Sequence, residues 1–283
     1  MTTLTSPPRA SPTTRLPAVG QPAPTARDHI SFSSVSLFQR CSLRYYFKYV
    51  AKLSEESVSS SLAFGRGVHR SIEFHFNELL AGNGPPDRDT LLAEFNDGWE
   101  EHPAGGQIAY SKKDTRDTLA NLADRVLLAF QQSDVAQPSG RVLGVEEELR
   151  GQVIDGVPDV LARLDLLVQD TDGLTVTDFK TAKNSWTADQ TTDSGEQLLL
   201  YSDLVRQRFP GWPIRLEFIV FKKAKTVTVG RHVVPLDAAR LERTKRIIGR
   251  VWRSIQAGNF FPSPSPMNCG TCPFRDPCRR WSG

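Results

Sequence analysis

Two runs of alternating apolar residues, 160–169 and 174–181, most constrain how this chain folds. Between them stands Asp170-Thr171-Asp172-Gly173. Alternation with a period of two is typical of β-strands, and a short Asp- and Gly-containing connection is typical of a tight turn. The sequence therefore predicts an antiparallel hairpin.

Three charged residues of this hairpin share one face. If the turn centres on Thr171-Asp172, Asp165 lies directly opposite Asp178, and if it centres one residue later, Asp165 lies opposite Lys180. In either register the three side chains point the same way, because side chains alternate along a strand. Two carboxylates across a ladder repel at about 5 Å between Cβ atoms, and a Mg²⁺ or Mn²⁺ ion would relieve this. The pattern favours a metal site over a charged surface hairpin.

Composition sets the class of protein. The chain has 283 residues, 39% hydrophobic and 24% charged, which suits one large or two small globular domains. Residues 1–28 are rich in Pro, Thr and Ser and predict a disordered tail, followed by one domain over 29–283. No apolar run is long enough for a membrane span or a secretory signal, so a cytoplasmic location is expected.

The net charge of +3 gives no general indication of a nucleic-acid partner, so such a partner must be argued from local patches. One patch is a predicted helix with Arg243, Arg246, Arg250 and Arg253 at helical spacing. A solvated helix face and a binding surface explain this spacing equally well.

The four cysteines form an unusual set. Cys269, Cys272 and Cys278 crowd the C-terminus in a C-x₂-C-x₅-C pattern, and Cys41 lies far upstream. A reducing compartment disfavours disulfides, and four thiolates complete a ligand set for Zn²⁺ or for an iron–sulfur cluster. Spacing alone leaves both metals open.

Two helices are predicted before the hairpin. The first covers 36–50, with Ser34 or Ser36 as its N-cap. The second covers 66–81 and begins beside Gly65 and Gly67. It carries His69 and, one turn later, Glu73. A lone histidine on a helix is more often a surface or core residue than a ligand.

Taken in order, these motifs resemble the RecB-like branch of the PD-(D/E)XK nuclease superfamily, and most closely its iron–sulfur members, the CRISPR-associated exonucleases and AddB-type nuclease domains. The resemblance covers roughly residues 30 to 280. Its motifs are Ser34/Ser36 before Cys41, Gly65–His69, Asp165, Asp178-Phe179-Lys180, Gln197 to Tyr201 and the terminal cysteines.

The resemblance implies a role for each matching residue. Asp165, Asp178, the backbone carbonyl of Phe179 and His69 would bind a catalytic Mg²⁺ or Mn²⁺ ion. Lys180 would orient the attacking water and offset phosphate charge. Gln197 and Tyr201 match a Q-x₃-Y motif that lies near the scissile DNA strand.

The resemblance also implies a structural [4Fe–4S] cluster, with Zn²⁺ as the alternative. Its ligands would be Cys41, Cys269, Cys272 and Cys278, and the cluster would tie the two ends of the domain together. The Gly of the family's G-x-x-D pattern is replaced by Ala162, and the Pro that often follows the first cluster Cys is replaced by Ser42.

A further acid is predicted from the strand near 142–150. If Val145 and Leu149 face inward, alternation turns Glu147 toward the site as a catalytic carboxylate, with an exposed acidic strand as the alternative. Glu73 is a candidate partner for His69.

The expected fold is α/β, a restriction-endonuclease-like core in which a small mixed sheet is flanked by helices. Strands are predicted near 142–150, 158–169, 174–181 and 214–222, and further helices near 115–132, 195–208 and 237–256. Residues 84–115 are poorly patterned and form either a lid or a helical insertion.

The expected function is metal-dependent DNA exonuclease activity in repair, recombination or processing. The expected partners are DNA with a free end and a helicase or other repair or CRISPR protein in trans, because no P-loop motif is present. The alternative is a catalytically silent DNA-binding or scaffold subunit of a helicase–nuclease complex.

Overall fold

A computed structural model of the chain describes residues 27–101 and 107–282. The predicted tail, 1–28, lies outside the described residues apart from Arg27 and Asp28. Asp28 is held against the domain by Arg150, whose guanidinium donates to the Asp28 carboxylate at 3.0 Å and to its backbone carbonyl at 2.7 Å. None of the described helices is long and apolar enough to cross a membrane.

The described residues form strands and helices in mixed order along the chain. The strands are β1 (His29–Ser31), β2 (Ser57–Ser59), β3 (Gln107–Ala109), β4 (Arg141–Gly151), β5 (Asp159–Asp170), β6 (Gly173–Ala182), β7 (Ile214–Lys222) and β8 (Thr228–Val234). The helices are α1 (Phe32–Arg40), α2 (Ser42–Tyr45), α3 (Ser60–Ala81), α4 (Arg88–Glu100), α5 (Arg116–Gln131), α6 (Ala188–Ser194), α7 (Glu196–Arg208), α8 (Ala238–Gln256), α9 (Pro266–Cys269) and α10 (Arg275–Arg279).

The main sheet has the order β1-β5-β6-β7-β8, and β4 pairs with β5. β1 runs parallel to β5 and β6 runs parallel to β7, whereas the β4–β5, β5–β6 and β7–β8 pairs are antiparallel. The sheet is therefore mixed, and with helices on both faces it confirms the expected α/β class. β2 and β3 form a separate two-stranded parallel sheet.

Each face of the main sheet covers its own hydrophobic core. One core joins the sheet to α1, α7 and α8 and includes Leu164, Val176 and Trp252. The other joins the sheet to α3, α4 and α5 and is rich in aromatic rings, among them Phe179 and Phe221. The two cores are separate because the sheet lies between them and its strands bury side chains on both faces.

Helices α3 and α4 approach each other closely at Gly67. A Cβ atom on this glycine would lie 2.6 Å from the Phe95 ring, so any larger residue would push the helices apart. Gly67 and Gly65 lie inside α3, because the helix begins at Ser60 with Ser59 as its N-cap. The predicted start at residue 66 is therefore wrong by about two turns.

The predicted helix 36–50 is also corrected. It is divided into α1, α2 and a π-helical turn, Tyr46–Val50, and Cys41 interrupts it in an extended conformation. The N-cap is Ser31, whose hydroxyl accepts from the Ser34 N–H, while the Ser34 hydroxyl forms the reciprocal bond of a capping box. Ser34 thus belongs to the cap at its third helical position.

The two ends of the domain meet at Ser42. Its hydroxyl donates to the carbonyl of Phe261 at 3.1 Å and accepts from the N–H of the same residue at 2.9 Å. The N–H of Leu43 also donates to the Phe261 carbonyl, and Asn268 donates its side-chain amide to the carbonyl of Arg40. These bonds form a clasp between the start of α2 and the C-terminal segment, and they involve no cysteine.

Candidate metal centre

The centre lies where β5 and β6 separate. Their ladder runs from Asp170–Gly173 to Leu166–Thr177, which confirms the register centred on Thr171-Asp172. Asp165 and Asp178 would form the next pair, but the ladder ends before them. Further along, β5 pairs with β1 through Asp159–Leu161. The two aspartates therefore lie where β5 and β6 begin to diverge, just beyond the Leu166–Thr177 pair. We call this point the fork.

At this fork the side chain of Asp165 replaces a backbone partner. Its Oδ2 accepts from the N–H of Phe179 at 2.7 Å. The N–H and the C=O of one strand residue point to the same side, so the carbonyl of Phe179 also faces the gap between β5 and β6.

Three potential ligands from three elements converge beside the fork. His69 of α3, Glu146 of β4 and Asp165 of β5 each place one ligand atom within 4.8 Å of the others, and they are the sole set of three or more His, Cys, Asp or Glu residues in the described ranges to do so. Nδ1 of His69 lies 3.4 Å from Asp165 Oδ2 and 3.9 Å from Glu146 Oε1. The structure thus brings together His69 and Asp165, the two members of this cluster that the sequence predicted.

Glu146 takes the place predicted for Glu147, which the structure leaves exposed. The prediction assumed a regular strand, but β4 shifts register between Val142 and Gly144, and Glu146 has a φ of 48°. The alternation of side chains therefore reverses along β4: Val145 packs against the aromatic core, and Leu149 packs against the core on the other face of the sheet. An isolated glycine inside a strand is a signal of such a bulge, so Gly144 could have indicated it.

Asp178 is buried next to this cluster and is held by two neighbours. It forms an ion pair with Lys180 through Oδ2, and its Oδ1 accepts from Gln197 Nε2 at 3.2 Å. Oδ2 has no hydrogen bond of normal geometry within the described part of the chain, although it is buried. A buried carboxylate oxygen without a hydrogen bond is costly unless a cation lies beside it.

Tyr201 supports this arrangement from the core. Its hydroxyl oxygen lies 3.1 Å from Gln197 Nε2, which donates to it, and the residue is only 6% exposed. Burial and the nearby charges of Asp178 and Asp165 raise the pKa of Tyr201 far above its usual value. A ring this buried has little surface for stacking on a base, and in this structure Tyr201 supports Gln197; its contact with DNA stays a prediction.

The ionisable groups strongly shift one another. Burial lowers the pKa of His69, but the charge of Asp165, the interaction with Glu146 and the charge of Asp178 outweigh it and raise this pKa to about 9. Burial and the charge of Asp178 raise the pKa of Asp165 to about 7. Burial lowers the pKa of Lys180, but Asp178 and Asp165 raise it by more. The cluster therefore holds excess negative charge.

The residues fit a divalent cation. Carboxylate oxygens and one imidazole are ligands of Mg²⁺, Mn²⁺ and related ions, and the raised pKa values show that the site favours added positive charge. Burial and the charge of Glu146 also raise the pKa of Glu73, one turn after His69, so a nearby cation would favour its ionised form as well. The predicted contact between Glu73 and His69 is absent among the hydrogen bonds and ion pairs of the described residues.

The cysteines meet elsewhere, beside the clasp. Cys41, Cys272 and Cys278 pack against a small apolar core of Leu43, Phe47 and Phe274. Burial raises the pKa of the Cys278 thiol, and the nearby Cys41, Cys272 and Cys269 raise it further. All four cysteines are free, and no three of their sulfur atoms come within 4.8 Å of one another. The thiols thus share a neighbourhood without the spacing of a compact metal site.

Comparison with solved structures supports the fold. A crystal structure from Eubacterium rectale, named "Putative exonuclease", superposes with a TM-score of 0.55 at 12% identity and covers 89% of this chain and 88% of that chain. The structure of SSO0001, 14% identical over 86% of this chain and 93% of its own, has a TM-score of 0.35, too low to support a common fold. Comparison with curated proteins gave no match.

The family comparison agrees with the geometry just described. Residues 29–279 match the family model of the PD-(D/E)XK nuclease superfamily. The matched segment contains the fork between β5 and β6, the His69–Glu146–Asp165 cluster and the Asp178–Lys180 pair. By this match, which covers well over half of its length, the chain belongs to the PD-(D/E)XK nuclease superfamily.

Proposed function

We propose that this chain is a metal-dependent DNA exonuclease and that Mg²⁺ or Mn²⁺ is held by His69, Glu146, Asp165 and Asp178. The observation that carries the proposal is the convergence of three ligand atoms within 4.8 Å beside the Asp178–Lys180 ion pair. The carbonyl of Phe179 is a further candidate ligand, because it faces the same gap. The family supplies the nuclease chemistry, and the name of the Eubacterium rectale protein supports an exonuclease.

Each residue contributes through position and charge. A divalent ion bound here would supply Lewis acidity toward a phosphoryl oxygen and a water of lowered pKa. The N–H of Phe179 fixes Asp165 and Gln197 fixes Asp178, so both carboxylates are oriented before a substrate arrives. Lys180 places a positive charge where a phosphate gains negative charge during displacement.

The test is cleavage of end-labelled linear DNA and of covalently closed circular DNA of the same sequence. Linear DNA should be degraded from its ends with Mg²⁺ or Mn²⁺ and left intact with EDTA, while circular DNA should persist. Asp178→Ala should abolish cleavage without changing the circular dichroism spectrum. Full activity of Asp178→Ala would reject the assigned site, and degradation of circular DNA would reject an exonuclease mode. Metal-independent DNA binding without cleavage would favour the silent scaffold subunit.

We also propose that Cys41, Cys269, Cys272 and Cys278 hold a structural [4Fe–4S] cluster. The four thiols lie close enough to influence one another's charge, and the resemblance to the iron–sulfur members of the superfamily supports the cluster over Zn²⁺. Their apolar surroundings would shield such a cluster from solvent.

Anaerobic purification tests this assignment. The protein should be brown, should absorb broadly in the visible range and should contain about four irons per chain. Cys272→Ser should bleach it, while Ser263→Cys, which leaves all four thiols in place, is a control for handling and oxidation. Colourless protein with one zinc per chain would replace the iron–sulfur assignment by zinc and leave the nuclease proposal standing.

A further inference from the structure

Helix α8 carries arginines that the metal centre does not use. Arg243, Arg246, Arg250 and Arg253 recur at intervals of three and four residues along its exposed side. Within the described ranges none of them forms an ion pair or a side-chain hydrogen bond. Like charges at this spacing repel one another, and in the free protein no described acidic side chain pairs with them.

Part of this row lines a cavity. Between α8 and the loop that joins β4 to β5 lies a groove of about 550 Å³, whose cationic walls are Lys245, Arg246, Arg250 and Arg253. We call it the arginine groove. Gly249 lies among these residues and adds no side chain to the groove. Arg243, one turn earlier, does not line it.

The acids of the groove do not balance its charge. Glu242 and Asp155 are its two acidic lining residues. Lys245 already pairs with Glu242 at 3.2 Å and with Asp203 of α7 at 2.5 Å. Asp155 is left to face three guanidinium groups. A guanidinium group binds phosphate oxygens through paired N–H donors, so the groove suits a ligand that carries several phosphates.

The dimensions fit a polynucleotide backbone. Arg246 and Arg253 are seven residues apart, which is about 10 Å along a helix. Along the axis of a B-form helix each strand advances by about 3.4 Å per phosphate, so about three successive phosphates span the row when that axis runs parallel to α8. Carboxylates on a protein partner have no such fixed repeat, and this favours nucleic acid as the occupant.

The groove shares two elements with the metal centre. Asp203, the ion-pair partner of Lys245, lies on α7. It follows Tyr201 by two residues, so the two side chains point to nearly opposite sides of that helix. The loop at its other wall ends the β4–β5 hairpin that carries Glu146 and Asp165. From Asp165 to Asp159, where this loop meets β5, the strand covers about 20 Å.

We propose that the arginine groove binds the phosphodiester backbone of a nucleic-acid strand whose end lies at the metal centre; the part of β5 that connects the two regions, from Asp159 to Asp165, is about 20 Å long. The proposal rests on the proposed nuclease function. It makes the groove a second contact, which holds long substrates between cleavage events and leaves short ones unaffected. Along the axis of a B-form helix, about six nucleotides of one strand cover this length.

The test measures binding of fluorescein-labelled oligothymidylates by anisotropy without divalent metal, so that no cleavage occurs. The double variant Arg246→Glu/Arg250→Glu should weaken binding of a strand of about 20 nucleotides at least 10-fold and leave binding of about 4 nucleotides unchanged. The slope of log Kd against log salt should fall by about 1.4, or 0.7 for each lost phosphate contact. With Mg²⁺ or Mn²⁺, cleavage of the short strand should be unchanged.

Arg141→Glu is the matched control, because Arg141 is exposed at the opposite end of β4 and lies outside the groove. Equal losses in Arg141→Glu and Arg250→Glu, or wild-type affinity of the double variant for the long strand, would overturn the proposal. Tighter binding of poly-glutamate than of the oligonucleotide would assign the groove to an acidic protein and overturn it as well. Because binding is measured without metal, wild-type protein that fails to cleave rejects the nuclease function alone.

Discussion

The carboxylate of Asp165 takes the place of a β5 backbone group for Phe179. Its Oδ2 accepts the Phe179 N–H at 2.7 Å at the point where β5 and β6 separate. One side chain therefore keeps the β6 backbone satisfied and at the same time faces His69 and Glu146. The opening of the sheet and the assembly of the metal centre depend on the same carboxylate.

Glu146 and Glu147 give the sharpest test of the site, because they are adjacent glutamates with different surroundings. Glu146→Ala removes a carboxylate from the His69–Glu146–Asp165 cluster and should lower kcat at least about 100-fold at saturating metal. Glu147→Ala changes an exposed residue and should retain wild-type kcat. Steady-state cleavage of labelled DNA measures both, and a larger loss in Glu147→Ala would contradict the assignment.

Lys180 should matter for turnover as well as for folding. Its amino group pairs with the buried Asp178 and its side chain is 35% exposed, so Lys180→Met should lower the melting temperature, because the Asp178 carboxylate loses its cation. The kcat should fall about 100- to 1,000-fold, because a fixed charge at the phosphate is lost. Lys180→Arg, which keeps the charge, should retain more activity than Lys180→Met. Equal activity of Lys180→Met and wild type would remove this lysine from the mechanism.

The metal-free protein should lose stability as pH rises. The pKa of Asp165 is raised from 3.8 to about 7 and that of His69 from 6.5 to about 9. Both groups bind a proton more tightly in the folded protein than in the unfolded chain, so the stabilisation present at low pH disappears as each is deprotonated. For Asp165 this window runs from about pH 4 to 7, and for His69 from about pH 6.5 to 9.

Asp165→Asn removes the first of these windows and reduces the second, because the charge of Asp165 is the main cause that raises the pKa of His69. Asparagine keeps an oxygen that can accept from Phe179 but carries no charge, so the variant should melt about 2–6 °C higher than wild type at pH 8 in EDTA. At pH 4 the two proteins should melt at similar temperatures. Thermal unfolding in EDTA across this range provides the measurement, and an equal difference at both pH values would exclude the ionisation of Asp165 as its cause.

Tyr201→Phe should affect the position of Gln197. The substitution keeps the buried ring and removes the oxygen that lies 3.1 Å from Gln197 Nε2. We expect kcat to fall about 3- to 10-fold, with the Kd for DNA unchanged, because the amide that bonds Asp178 becomes less constrained. Binding and single-turnover cleavage assays separate the two quantities. A weakened Kd with unchanged kcat would support the direct DNA contact.

Ser42→Ala should weaken the clasp. Ser42 is 2% exposed, and the change leaves the Phe261 N–H without its partner, at a cost of about 1–3 kcal/mol. Guanidinium unfolding should show a lower midpoint, with metal-dependent activity per folded molecule preserved. Ser36→Ala, on α1, is the control, since its hydroxyl makes no hydrogen bond to a described residue. Equal midpoints in the two variants would mean that the clasp adds no net stability.

The sequence predicts the main strands and most of the long helices well, because their apolar periodicity is strong. β5, β6 and β7 lie within about one residue of their predicted bounds. β1 and β8 are missed: β1 has three residues, too few for a pattern, and β8 alternates weakly. Within 84–115 the apolar content is too low for the sequence to decide between a lid and a helical insertion; the structure places α4 there, and residues 102–106 lie outside the described part.

In the candidate site, the residues that the sequence predicts are those whose positions depend on local structure, and the residues that it misses depend on tertiary packing or on backbone irregularity. Asp165, Asp178 and Lys180 follow from strand alternation and turn position, both of which are local. Glu146 depends on a backbone bulge with positive φ, which overrides alternation. The burial of Tyr201 depends on how α7 packs against the sheet, and a four-residue spacing from Gln197 carries no information about that packing.

The clasp also bears on how the chain is made. Ser42 and Phe261 are 219 positions apart, so during synthesis α1 and α2 leave the ribosome long before their partner exists. Until then the aromatic side of this segment, including Tyr45 and Phe47, lacks the C-terminal rings that cover it in the finished protein. Contacts of such long range form late and expose apolar surface in the meantime. Nascent chains arrested before residue 261 should therefore bind chaperones through their N-terminal helices, and release should coincide with emergence of the last thirty or so residues.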